Sequence, residues 1–239
     1  MTTETMLRAI ALPVTGKMLA LLAVIAGSGA VMAHSIAGGD AAFVTSNAGA
    51  AIVPFMYLGA KHMVTGYDHL LFLAGVVFFL TRPIHILQYV SLFALGHSLT
   101  LIIGVLADLS INAYVIDAII ALSVVYKALE NMGALEGLGR WRPNTRVAVF
   151  VFGLFHGLGL SASLQELNLH PDGLLLNLLA FNLGVEFGQL TALGLIVLLF
   201  AIWRRHPRFY DMAFASNTVL MGAGFVLMMY QLAAWQWSI

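Results

Sequence analysis

In "HMVTGYDHLLFL" (62–73), His62 is followed six residues later by the pair Asp68–His69, at the entrance to one of the most apolar parts of the chain. His97, His156 and Glu186 stand inside other apolar runs. Imidazole nitrogens with carboxylate oxygens suit borderline divalent cations such as Ni²⁺, Co²⁺, Zn²⁺ or Cu²⁺. The chain has no cysteine, so thiolate ligands and disulfides are excluded. Any metal must be held by nitrogen and oxygen.

The rest of the sequence sets the medium in which these groups sit. Of 239 residues, 61% are hydrophobic and 9% charged, against about 25% charged in a soluble domain. Mean hydropathy is +0.93. Apolar runs of roughly 18 residues or more recur along the chain, the pattern of an all-α, polytopic membrane protein. Formal net charge is zero, which offers no basic face to nucleic acid.

Residues 1–33 carry Arg8 and Lys17 before "MLALLAVIAG" and end in "AVMA". This reads as a signal peptide cleaved between Ala33 and His34, leaving 34–239 as a single helical bundle domain. About six spans are expected, near 61–80, 84–107, 112–131, 147–165, 173–203 and 211–235; an uncleaved first segment would make seven. The stretch 43–60, with Pro54, either extends the first span or lies along the outer interface.

Positive charges give the orientation. Arg82, Lys127, Arg140, Arg142, Arg146, Arg204, Arg205 and Arg208 all fall at one set of span ends, while 34–50, 108–111, 166–172 and 236–239 hold no Lys or Arg. The positive-inside rule makes the first set cytoplasmic and both mature termini external. Lys61 is the exception, at the outer edge of the first span, where its stem can snorkel to water. The outer connectors carry Asp40, Asp108, Glu166 and Asp172 with His34 and His170, a surface that concentrates cations modestly and makes the outside the expected side of entry.

Counting about 1.5 Å per residue puts His69 roughly 16 Å, His97 roughly 20 Å and His156 roughly 14 Å from the inner ends of their spans. Glu186 lies roughly 20 Å from the outer end of its own, and His62 two turns outward from His69. Singly, each has a plain structural reading: a histidine bonds a neighbouring backbone, Asp68 orients His69 or pairs with Lys61, Glu186 is a neutral acid, and Ser98 and Thr100 bond their own helix. Such groups cost a few kcal/mol each at mid-bilayer, so coincidence in depth across four spans favours a shared metal site. In "FNLGVEFGQL", Asn182, Glu186 and Gln189 recur at helical spacing, and glycines at 153, 157 and 159 permit close helix approach around His156.

"HMVTGYDHLLFLAGVVF" (62–78), "FALGHSLTLIIG" (93–104), "IDAIIALSVVYKALEN" (116–131), "VFGLFHGLGLSASL" (151–164) and "FNLGVEFGQL" (181–190) together resemble the HupE/UreJ family, membrane proteins accessory to hydrogenase and urease and regarded as nickel permeases. The resemblance covers nearly all of the chain after residue 33. It implies transport of a divalent transition metal, nickel favoured, across the bacterial inner membrane, with His62, Asp68, His69, His97, His156 and Glu186 at the motif positions. The H-x5-D-H spacing is one residue longer than the H-x4-D-H of other nickel/cobalt permeases, so their ligand geometry does not transfer. Two other readings stay open: an intramembrane zinc enzyme using Ser161 or Ser163 near His156, and a metal-binding subunit of a larger membrane complex. Histidines at one level argue against two stacked haems. The partners expected are the metal ion and the lipid bilayer.

Overall fold

The computed structural model describes residues 39–109, 111–166 and 170–238; the expected signal segment lies outside them. Among the described residues every regular element is helical: α1 (Gly39–Ser46), α2 (Ile52–Thr65), α3 (Tyr67–Val77), α4 (Pro83–Leu106), α5 (Ala113–Asn131), a 3-10 turn (Glu136–Trp141), α6 (Thr145–Gln165), α7 (Leu174–Trp203) and α8 (Phe209–Ser238).

Local chemistry sets the boundaries. Pro83 opens α4, where its missing N–H costs nothing. Asn112 caps α5 by accepting from the Val115 amide at 3.1 Å, and Asn144 caps α6 by accepting from Arg146 at 2.9 Å. Gly173 precedes α7 at φ +76°, where a Cβ would overlap the backbone of Gly49 and Ala50. The connector before α2 is pinned there: Asn177 accepts from the Ala51 amide at 2.7 Å and donates to the Gly49 carbonyl at 2.9 Å.

α4, α6, α7 and α8 are long and apolar enough to cross a membrane. α5 has 19 residues but includes Asp117, Lys127 and Glu130, all buried. Exposure is inverted relative to a soluble protein. Leu195, Leu198, Leu199 and Ile202 are 56–60% exposed while His69 and His156 are 0% exposed. A surface of leucine around a polar interior is stable only where the solvent is hydrocarbon.

The segment expected as one span over 61–80 is two helices. Of the stretch 43–60, residues 52–60 form the first part of α2, continuous with His62 and with Pro54 in the first turn. At Gly66 the chain turns extended (φ −72°, ψ 105°), and α3 starts at Tyr67. Lys61 is exposed and pairs with Asp40 of α1 at 2.6 Å.

The helices associate chiefly as the pairs α4/α6, α2/α7 and α5/α8. Small residues permit this: a Cβ at Gly184 would overlap the Met56 carbonyl, and one at Gly157 the His97 carbonyl. The Thr100 hydroxyl, expected to bond only its own helix, makes its shorter bond across the α4/α6 seam, donating to the Leu154 carbonyl at 2.6 Å. Arg204, just past α7, donates to the carbonyls of Val77 and Phe78 (2.8 Å for the latter) and so caps the end of α3.

Candidate metal centre

The break at Gly66 builds the site. Ending α2 and restarting as α3 puts Asp68 and His69 in the first turn of a helix, whose positive end favours a carboxylate. A Cβ on Gly66 would stand 2.5 Å from His69 Nδ1 and 3.1 Å from Asp68 Oδ1, so only glycine leaves room for the pair. Asp68 Oδ1 lies 3.2 Å from His69 Nδ1, with both side chains buried. An acidic neighbour of this kind is what orients a ligating imidazole in metal sites.

His156 enters from α6. Its Nδ1 is 2.7 Å from the Phe152 carbonyl oxygen. A carbonyl only accepts, so Nδ1 carries the hydrogen, and in the neutral ring Nε2 is the nitrogen that bears the lone pair. One ligand atom each from Asp68, His69 and His156 lie within 4.8 Å of one another. Two ligands of one ion bonded at about 2.1 Å are at most about 4.2 Å apart. Side-chain movement of under about an ångström therefore closes the group on a cation.

Two more imidazoles adjoin it. The His62 ring lies 5.2 Å from His69 and 6.0 Å from Phe181, at the half-buried end of the cluster. The His97 ring, buried on α4, lies 6.3 Å from His69. The cluster expected from four spans is thus drawn from three: the broken first one (α2 with α3), α4 and α6. Glu186 is not brought to it. It is exposed on the flank of α7, whereas Asn182 and Gln189 turn inward, bonding the carbonyls of Leu178 (3.0 Å) and Val90 (3.5 Å). Val185 is buried against α2, and the next residue points about 100° away on an α-helix.

Ser161 and Ser163 donate to carbonyls of their own helix, Leu158 at 2.8 Å and Gly159 at 3.3 Å. Neither hydroxyl is aimed at the histidines.

Sequence reading missed an aromatic tier. Phe93 packs edge-on to His156 at 4.8 Å, to His69 at 6.4 Å, and stacks on His97 at 6.2 Å. Phe72 packs on Phe93 at 5.3 Å and on His156 at 5.6 Å, and Phe152 on Phe72 at 5.9 Å. The signal is in the spacing: Phe72, Phe93 and Phe152 each lie one turn from a histidine on their own helix, always on the side away from His62.

No curated protein and no solved structure gives a match to the chain. The model of the family described as "HupE / UreJ protein" matches residues 39–239. That stretch contains the broken helix, the buried Asp68–His69–His156 group and all four long apolar helices, and the chain belongs to the HupE/UreJ family.

Proposed function

We propose that the protein is a permease for a divalent transition-metal cation, nickel favoured, in the bacterial inner membrane. The observation that carries this reading is the wholly buried Asp68–His69–His156 group, whose ligand atoms lie within 4.8 Å inside a bundle coated with leucine. His62 serves as the outer mouth and His97 as a further ligand. Helices broken at mid-membrane are a recurring device for ion sites in transporters, since they bring a charged helix end to the ion. The break at Gly66 supports the reading on that ground.

In this reading residues 34–239 form one bundle that crosses six times: α2 with α3 as the first crossing, then α4, α5, α6, α7 and α8. A cleaved signal peptide precedes it, and both ends of the mature chain are periplasmic. The zinc-enzyme alternative draws no support from Ser161 and Ser163, which bond their own helix.

Purified protein is expected to bind about one equivalent of Ni²⁺ and, in proteoliposomes, to accumulate it. The His69→Ala and His156→Ala proteins should do neither. Wild-type metal content in both variants would sink the site; tight binding without movement of metal would favour an enzyme or a storage role.

A further inference from the structure

Among the described residues, a second polar cluster lies at the other end of the bundle. Lys127 Nζ and Glu130 Oε2 of α5 are 2.6 Å apart, both side chains less than 10% exposed. The Thr145 hydroxyl at the start of α6 donates to the other Glu130 oxygen. Asn131 donates 2.9 Å bonds to the Gly75 carbonyl and to Asn217 Oδ1, which ties α5 to α3 and α8. These side chains line a cavity of about 240 Å³ together with Val76 and the exposed Arg142. Thr145 is eleven residues before His156, about 16 Å along α6, and Val76 eight after Asp68, about 12 Å along α3. The tier of Phe72, Phe93 and Phe152 fills the interval, and Tyr126, beside Lys127, packs on Phe152 at 5.3 Å.

Holding Lys127 and Glu130 together out of water is costly, and a hydrophobic pair of equal size is often at least as stable. Packing alone does not account for them. The chemistry of the cavity does: carboxylate, hydroxyl and amide oxygens form a weaker set for a borderline cation than imidazoles, as a place of release requires. An ammonium lying on the carboxylate keeps it compensated while no other cation is there.

We propose that Glu130, Thr145 and Asn131 form a second, oxygen-only cation station beyond the aromatic tier, with Lys127 as a tethered stand-in that the passing divalent ion displaces. This rests on the permease reading and adds to it the exit step. A cation leaves the imidazoles, passes the aromatic tier, and takes the Glu130 carboxylate from Lys127. It is then shed to water past Arg142, and Lys127 returns.

The test separates the two stations. Ni²⁺ is titrated calorimetrically into purified wild type, Lys127→Met, and the double variant Lys127→Met/Glu130→Gln, and ⁶³Ni²⁺ uptake is followed in proteoliposomes. Lys127→Met should show a second equivalent at least about tenfold weaker than the first, because the carboxylate has lost its internal cation. The double variant, neutral and similar in size, should keep the first equivalent, lack the second, and take up metal at least about tenfold more slowly. One equivalent in Lys127→Met, or wild-type uptake by the double variant, overturns the proposal while the histidine site stands. A wild-type protein that binds no Ni²⁺ overturns the histidine site itself and this step with it.

Discussion

The imidazole of His156 donates from Nδ1 to the carbonyl oxygen of Phe152, one turn back on its own helix, at 2.7 Å. That bond fixes the tautomer before any metal arrives. His156→Ala is expected to weaken Ni²⁺ binding by more than about 100-fold, beyond what loss of an orienting partner costs. The helical content should not change, because the bundle is held by its apolar seams. Nitrogen-15 NMR of labelled histidine should place the metal on Nε2; a metal on Nδ1 would contradict the geometry.

Gly66 supports the site by having no side chain. Its φ of −72° is open to any residue, so Gly66→Ala should strain no backbone. The added Cβ meets His69 Nδ1 instead. The variant should lose roughly tenfold or more in metal affinity, as when a ligand's support is disturbed, with a melting temperature near that of wild type. An equal fall in both would make Gly66 a folding residue only.

Phe93 touches three histidine rings and is 1% exposed. Phe93→Ala should cost about 3–5 kcal/mol of stability and also loosen metal binding, since the rings lose their common support. Phe93→Leu should recover most of the stability and less of the affinity. Calorimetric titration beside thermal melting checks the split.

Metal content should depend on pH with a definite sign. A protonated imidazole has no lone pair to give, so Ni²⁺ should be released on acidification and rebind on neutralisation. Retention of a full equivalent at pH 5 would mean that carboxylates alone hold the ion.

The natural sequence lacks cysteine, which makes single introduced thiols clean reporters of sidedness. Cysteine at Glu136 or His206 should be labelled by an impermeant reagent only from the cytoplasmic side, and at His170 only from the periplasmic side. Labelling of His170→Cys from the cytoplasm would reverse the direction of transport argued above.

Helical class and the shared depth of His69, His97 and His156 were legible because hydropathy and a fixed rise per residue are local properties. The break at Gly66 was not. Glycine within an apolar helix commonly serves close packing, and nothing local distinguishes that use from a helix end. Glu186 was misplaced for a related reason: Asn182 and Gln189 share its periodicity, but which flank of α7 turns inward is decided by its contact with α2. Lys127 read as an inner-edge charge, since its burial beside Glu130 depends on α3 and α6 closing over it.

The aromatic tier also has an electrical consequence. A voltage across a membrane falls most steeply where a protein is least polar, and in the permease reading that is the layer around the buried rings of Phe72 and Phe93, between the two polar clusters. A divalent ion drawn inward across the full drop gains about 4.6 kcal/mol per 100 mV. If that drop is concentrated over the roughly 12–16 Å between the two clusters, most of the gain is delivered in the single move from imidazole to carboxylate. In the permease reading the membrane potential then acts chiefly on this one step.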